Sequence, residues 1–144
     1  MLEFFLEFAD GLRHHARKKR WTPDQALGRR GEDIAHRFLE RAGIIVVARN
    51  YRLASGVGEI DLVGWEKDRL VFIEVKSRQS DDFSAPERAI DQAKRQRMIR
   101  CGRDYARHAE VPWERVRFDI VTVVFGTPPA VVHLRDVLNP DARQ

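Results

Sequence analysis

Two short stretches near the middle of the chain combine carboxylates with a lysine. The first, GEIDLVG, contains Glu59 and Asp61, and the second, VFIEVKSR, contains Glu74 and Lys76. Because successive side chains of a β-strand point to opposite faces, the members of each pair share one face of their strand. Carboxylate oxygens are ligands that Mg²⁺ and Mn²⁺ prefer, and a cation held in this way assists phosphodiester hydrolysis. The pattern therefore predicts the chemistry of a metal-dependent nuclease.

The spacing of the two stretches predicts an antiparallel hairpin. If the connection Glu66–Arg69 turns about its midpoint, the numbers of paired residues sum to a constant. This register places Asp61 opposite Glu74, and it also places Glu59 opposite Lys76. Opposed side chains have Cβ atoms roughly 4.5 to 5.5 Å apart, so two like charges need a nearby cation, a bound metal or a raised pKa. The alternative is an ordinary ion pair between Glu59 and Lys76 on a solvated sheet face.

The residues between these charges are apolar. Ile60 and Leu62 alternate with the carboxylates of the first stretch, and the second stretch reads Val-Phe-Ile before Glu74. We therefore expect one face of the hairpin to lie in the core. A charge inside such an apolar run is costly unless it has a purpose, which favours a functional site.

The order of these motifs resembles known groups of proteins. Asp61 followed by Glu74-Val75-Lys76 is similar to the PD-(D/E)xK signature of restriction-endonuclease-like nucleases and Holliday-junction resolvases, with Ile60 at the position of the proline. More narrowly, nearly the whole chain resembles the YraN-like family of small bacterial proteins of uncharacterised function. The resemblance implies an α/β fold with a restriction-endonuclease-like core, in which helices flank a mixed central sheet. It is carried by the blocks Gly28–Ala35, Arg49–Arg52, Gly58–Leu62, Phe72–Arg78 and Arg117–Val121.

This resemblance implies a catalytic set of Glu32, Asp61, Glu74 and Lys76. Asp61 and Glu74 would bind Mg²⁺ or Mn²⁺ directly, with the backbone carbonyl of Val75 as a third ligand. Glu32, on the first helix, would complete the metal site. Lys76 would orient or deprotonate the attacking water, or neutralise developing charge. For Glu32 another explanation is open, because the helix dipole alone favours an acidic residue in a first turn.

A basic segment with apolar residues at helical spacing follows the hairpin, and Pro86 stands where its helix would begin. Long basic side chains along a helix can follow a phosphate backbone with salt-dependent affinity. We therefore expect nucleic-acid contacts from Lys94 and Arg97, and from Ser77 and Arg78 at the mouth of the site. Lys94 stands at a basic position of the family that the chain resembles. The alternative is a solvated helix face that binds nothing.

The composition is that of a soluble globular chain. Of its 144 residues, 33% are charged and 43% are hydrophobic, which excludes a disordered chain and suffices for one core. The net charge of +4 favours a polyanionic partner, for which DNA is our expectation. The single cysteine, Cys101, excludes an intrachain disulfide and fits a reducing cytoplasm, which is the predicted location. The sequence shows neither a signal-peptide pattern nor a stretch of transmembrane length.

We divide the chain into an N-terminal amphipathic and basic extension, residues 1–25, and an endonuclease-like domain, residues 26–140. Apolar residues at helical spacing precede a basic run in the extension. A helix there would dock on the domain, on a second subunit or on another partner, and contact with a membrane surface is the alternative. A homodimer is also predicted, because resolvase-like cleavage needs two sites for two strands.

The remaining segments predict the order helix, strand, strand, strand, helix, strand, strand. The first helix is expected to begin at Gly28. Asp119, in a later strand, would either reach the site or form an ion pair with Arg115 or Arg117. The strands expected outside the hairpin are Ile44–Val47, Tyr51–Leu53, Val116–Phe125 and Val131–Leu134.

Three functions fit these observations. The first is a metal-dependent nuclease that hydrolyses DNA, with branched or structured DNA as its substrate. The second is a nucleic-acid-binding module that keeps the nuclease fold without turnover. The third is an interaction protein that docks through its N-terminal helix and in which the carboxylates are structural.

Overall fold

The computed structural model describes residues 22–56, 58–79 and 91–138. The predicted N-terminal helix and the predicted helix start at Pro86 lie outside these ranges. Within them the elements follow the predicted order, and neither helix is long and apolar enough to cross a membrane. The elements are α1 (Pro23–Arg41), β1 (Ile45–Arg52), β2 (Glu59–Glu66), β3 (Arg69–Arg78), α2 (Gln92–His108), a 3₁₀ helix (Trp113–Arg115), β4 (Val116–Val124) and β5 (Ala130–Leu134).

The strands form one sheet in the order β1-β2-β3-β4-β5. Neighbouring strands are antiparallel except β3 and β4, which are parallel. A parallel pair needs a crossover connection, and α2 lies in that connection. The predicted α/β class, a mixed central sheet flanked by helices, is confirmed and is consistent with a restriction-endonuclease-like core.

Both faces of the sheet are buried, because each helix covers one of them. In β3, Leu70 and Phe72 pack in the cluster with α2, whereas Val71 and Ile73 pack in the cluster with α1. The expected core face, with Val71 and Ile73, is confirmed. The other face of the strand is buried as well, because a strand between two helices is apolar on both sides. The helical members of the clusters are Met98, Cys101, Tyr105 and Ala106 of α2, and Ala35 and Leu39 of α1.

Helix α1 begins at Pro23 rather than at Gly28. The Thr22 hydroxyl accepts a hydrogen bond from the backbone N–H of Gln25, and the Thr22 N–H donates to the Gln25 side chain. Proline at the first helical position strengthens this start signal. Glu32 consequently lies in the middle of α1, so the first-turn dipole explanation for this residue was wrong.

Strand β1 is continuous, so the strand-like segments predicted at Ile44–Val47 and Tyr51–Leu53 are joined in one element. Its pairing with β2 shifts once, between Val46 and Ala48. The polar residues Arg49 and Asn50, which separated the predicted strands, lie inside it.

Candidate functional site

The predicted hairpin register is confirmed over the region where β2 and β3 pair. Their ladder runs from Glu66 opposite Arg69 to Leu62 opposite Ile73, with the expected constant sum. Among the described residues the ladder ends there, while β2 continues beside β1 and β3 continues beside β4. The strand ends beyond it, Glu59–Asp61 and Glu74–Arg78, are the two arms of what we call the fork.

Asp61 lies at the base of the fork. Its Oδ2 atom accepts a hydrogen bond of 2.8 Å from the backbone N–H of Val75, across the gap between the two arms. Burial and the charge of Glu74 raise the pKa of Asp61 to about 8, although the bond from Val75 acts in the opposite direction. This buried position therefore disfavours the simultaneous ionisation of both carboxylates.

Glu74 lies against α2. Its side chain is almost completely buried, and its Oε1 atom contacts the ammonium group of Lys94. Burial acts to lower the pKa of Lys94, but the hydrogen bond and charge of Glu74, with the charge of Asp61, raise it overall. Lys94 is thus a protonated cation placed beside the carboxylate pair.

Glu32 approaches the fork from α1. Its Oε2 atom accepts hydrogen bonds from the Arg49 guanidinium at 3.3 Å and from the Asn50 amide at 3.2 Å. Burial raises the pKa of Glu32, and these two donors offset the effect only in part. The charge of Glu32 also contributes to the raised pKa of Asp61, so the two carboxylates are within electrostatic reach.

The carboxylates of the fork suit a hard divalent cation. Asp61 and Glu74 supply oxygen ligands, and the ammonium group of Lys94 places a positive charge beside Glu74. Within residues 22–56, 58–79 and 91–138, no three His, Cys, Asp or Glu side chains are gathered closely enough to hold one metal ion. The oxygen donors of Asp61 and Glu74 are of the type that Mg²⁺ and Mn²⁺ prefer. Metal binding by these two residues, with Glu32 as a further ligand, stays a prediction.

The other predicted site residues surround the fork at different depths. Ser77 lies under α1, where a side chain at Gly31 would overlap its Oγ atom. Arg78, at the end of β3, is partly buried, whereas Arg97 is exposed on α2. Lys76 is partly buried on the second arm. Arg97 is therefore the most accessible of these residues to a ligand arriving from solvent.

Gly58 sets the first arm of the fork against α2. Its φ of 92° lies in the left-handed region that favours glycine. A Cβ atom there would also lie 2.9 Å from the Sγ of Cys101 and 3.2 Å from the carbonyl oxygen of Arg97. Both the conformation and the close approach therefore require glycine just before Glu59.

Comparison with known proteins assigns this arrangement to a family. A family model described as "Uncharacterised protein family UPF0102" matches residues 31–123. This range includes the fork, Glu32 of α1 and Lys94 of α2. The chain belongs to the UPF0102 family. It is 51% identical to a UPF0102 protein of Solibacter usitatus over 94% of this chain and 98% of that protein. A UPF0102 protein of Dictyoglomus thermophilum is 30% identical over 81% of this chain and 97% of its own.

Asp119 of this UPF0102 protein does not belong to the fork. It is fully buried and accepts hydrogen bonds of 2.9 Å from Nε and a terminal nitrogen of Arg117, 2.8 Å from His133 and 2.9 Å from the Asp136 N–H. Burial acts to raise the pKa of Asp119, but these donors lower it overall. Of the two predicted alternatives, the ion pair with Arg117 is confirmed, and Arg117 also bonds Glu66 at 2.8 Å.

Sequence reasoning missed Arg49 and Asn50 as site residues. Besides its bond to Glu32, Arg49 donates to Oδ1 of Asp33 at 2.7 Å, so it ties β1 to α1 beside the fork. Both residues stand in the block Arg49–Arg52, and the family resemblance of this block was the signal that could have identified them. The polarity of Arg49 and Asn50 indicated a break between two strands and not a site.

Proposed function

We propose that this UPF0102 protein is a metal-dependent nuclease of the PD-(D/E)xK superfamily that hydrolyses phosphodiester bonds in DNA. Branched or structured DNA is the expected substrate. The observation that carries this proposal is the fork, where two motif carboxylates lie together and a lysine from a basic helix contacts one of them. A structural ion pair needs one acid and one base, and a second buried acid beside it is explained by a cation site.

Five charged residues in and around the fork have roles in the proposed reaction. Asp61 and Glu74 would hold Mg²⁺ or Mn²⁺, with Glu32 beside them. The cation, when bound, would supply Lewis-acid stabilisation of the charge that develops on the phosphate. Lys76 would orient the attacking water or take its proton. Lys94, once released from Glu74, would contact a phosphate of the substrate.

The exposed side of α2 supports contact with a nucleic-acid backbone. Arg97 and Arg100 are exposed there and form no ion pair with any acid in the described part of the chain. Exposed arginines near a carboxylate site can neutralise phosphates on either side of the reacting one, with release of counterions. This predicts affinity that falls as the salt concentration rises.

Cleavage of a supercoiled plasmid and of a four-way DNA junction tests the proposal. We expect cleavage in Mg²⁺ and in Mn²⁺, and none in EDTA. Asp61→Asn and Glu74→Gln should each reduce the rate by about 10²- to 10³-fold, the usual cost of losing one group that stabilises transition-state charge. Glu114→Gln, which changes an exposed acid on the 3₁₀ helix, is the matched control and should cleave like the wild type.

Two results would contradict this function. If cleavage persists unchanged in Asp61→Asn and in Glu74→Gln, the activity comes from another nuclease. If purified wild-type protein cuts neither substrate with either metal, the proposed turnover is absent.

A nucleic-acid-binding module without turnover is the second candidate, and it is favoured by one observation. In the metal-free protein the ammonium group of Lys94 already balances the negative charge of Glu74. Glu74 therefore does not require a bound cation. In that case Asp61→Asn should keep the affinity for a labelled DNA junction. Lys94→Ala combined with Arg97→Ala should lower the affinity and reduce the salt slope by about one unit for each phosphate that the variant no longer binds. Affinity that does not change with salt would exclude both candidates.

A further inference from the structure

Asn50 has an unusual backbone conformation inside a strand. Its φ of 53° lies in the left-handed region. The other non-glycine residues with positive φ in the described ranges, Lys67, Glu110 and Asp136, lie in turns or connections. Asparagine tolerates this conformation better than most residues, but the left-handed region remains less favourable for it than ordinary strand geometry. Such a residue in the middle of β1 calls for a compensating role.

The left-handed residue breaks the alternation of side chains in β1. Strict alternation would put Ala48 and Asn50 on one face, and Arg49 and Tyr51 on the other. Instead, Ala48 and Tyr51 both pack on the α2 side, whereas Arg49 and Asn50 both donate hydrogen bonds to Glu32 of α1. The conformation of Asn50 is therefore what brings two consecutive side chains to the same carboxylate.

The same break occurs on the neighbouring strand at the opposite position. Arg49 pairs with Leu62 and Tyr51 pairs with Ile60, so Asn50 lies opposite Asp61. Ile60 packs in the cluster with α2, whereas Leu62 packs in the cluster with α1, although alternation would put them on one face. The two strands are thus distorted together at the base of the fork.

We propose that Asn50 is a positioning residue whose left-handed conformation and side-chain amide fix the Glu32 carboxylate beside Asp61 for binding of a divalent cation. This role rests on the proposed cation site. Arg49 shares the task but also bonds Asp33, whereas among the described residues the Asn50 amide donates to Glu32. Outer residues that orient a carboxylate near a metal usually change the affinity about 10- to 100-fold when they are removed.

Titration of Mn²⁺ into the full-length protein, followed by calorimetry and by electron paramagnetic resonance, tests this role. Asn50→Gly is the informative variant, because glycine adopts the left-handed conformation freely and lacks the amide. We expect its affinity for Mn²⁺ to fall at least tenfold, while its melting temperature in EDTA stays close to that of the wild type. Asn50→Ala is the second variant, and it should lose the same affinity and also melt at a lower temperature.

A double-mutant cycle separates positioning of Glu32 from any other effect. In a Glu32→Gln background, Asn50→Gly should cause no further loss of affinity, because the group that Asn50 holds has lost its charge. A further tenfold loss in that background, or an affinity of Asn50→Gly within twofold of the wild type, would overturn the positioning role alone. If the wild type binds no Mn²⁺, the cation site of the proposed function and this role both fail.

Discussion

The ammonium group of Lys94 lies against the Oε1 atom of Glu74, so the basic helix α2 and the carboxylate pair are in direct contact. Asp61, beside Glu74, contributes to the raised pKa of this lysine. Lys94, which is predicted to bind phosphate, is therefore held by a predicted metal ligand. A cation bound as proposed would compete with Lys94 for Glu74, and this competition can be measured.

Removal of the Lys94 charge should make the fold depend more strongly on metal. In EDTA at pH 8, Lys94→Met should lower the free energy of unfolding by about 1 to 2 kcal/mol, because a hydrogen bond to a buried charged group is lost. Mn²⁺ should then raise the melting temperature more in this variant than in the wild type, since the cation meets no competing ammonium group. Thermal unfolding with and without Mn²⁺ measures both effects.

Arg97→Met is the matched control for Lys94→Met, because it removes an exposed positive charge from the same helix. Its melting temperature and its response to Mn²⁺ should stay near the wild-type values. Equal Mn²⁺ responses in Lys94→Met and in the wild type would show that lysine and metal do not share Glu74.

The ionisation of Asp61 should make the metal-free protein less stable as the pH rises. The pKa of Asp61 is raised from 3.8 to about 8, so the folded chain holds this proton more tightly than the unfolded chain does. The associated stability is complete below about pH 4 and is lost progressively as the pH approaches 8. Asp61→Asn cannot ionise, and its amide oxygen can still accept the hydrogen bond from Val75. Its melting temperature relative to the wild type should therefore increase between pH 5 and pH 8.

Differential scanning calorimetry in EDTA over this pH range measures the effect. The slope of the stability difference cannot exceed about 1.4 kcal/mol per pH unit for one group. Asp68→Asn, which removes an exposed carboxylate from the turn between β2 and β3, is the control variant. A stability difference between Asp61→Asn and the wild type that stays constant from pH 5 to pH 8 would contradict the raised pKa of Asp61.

The register of the β2–β3 hairpin was predictable from the sequence because it depends on local rules. Side-chain period and turn midpoint together determine which residues of a hairpin face each other, and the ladder down to Leu62 opposite Ile73 follows them. The rules stop applying at Asp61, where the backbone pairing ends and a side chain accepts the bond from Val75. Alternation also fails at Asn50, whose left-handed conformation no periodicity could reveal.

Contacts between distant elements were beyond the reach of sequence patterns. The contact of Lys94 with Glu74 depends on how α2 packs over the sheet, which the spacing of basic residues does not specify. The start of α1 is a different case, because Thr22, Pro23 and Gln25 form a capping signal that was present in the sequence. Recognition of that signal would have placed Glu32 in the middle of the helix.

The buried Asp119 network should stabilise the fold without affecting the proposed cation site. Asp119→Asn removes the charge that faces Arg117 and His133, and the loss of one partner from a buried pair costs about 3 to 5 kcal/mol. Because the pKa of Asp119 is lowered, its stabilising effect is present above the usual aspartate range and is lost as the pH falls through the folded value. The stability difference between wild type and Asp119→Asn should therefore shrink in acid.

Urea unfolding at pH 7 and at pH 3 measures this difference, and Mn²⁺ titration of the folded variant checks the separation from the fork. An affinity close to that of the wild type is expected. A tenfold loss of Mn²⁺ affinity in folded Asp119→Asn would instead place Asp119 among the groups that control the cation site.

Two glycines of α1 should respond in opposite ways to alanine. At Gly28 a Cβ atom would have no neighbour within 4 Å among the described residues other than the adjoining backbone of its own helix, so Gly28→Ala should stabilise the helix by about 0.5 to 1 kcal/mol. At Gly31 a Cβ atom would overlap Ser77 Oγ and lie 3.1 Å from Ser77 Cβ, so Gly31→Ala should destabilise the protein by about 1 to 3 kcal/mol. Urea unfolding of both variants measures the two signs. Ser77→Gly should recover part of the loss in Gly31→Ala because it removes the overlapping atoms, and no recovery would show that α1 does not rest on the second arm of the fork.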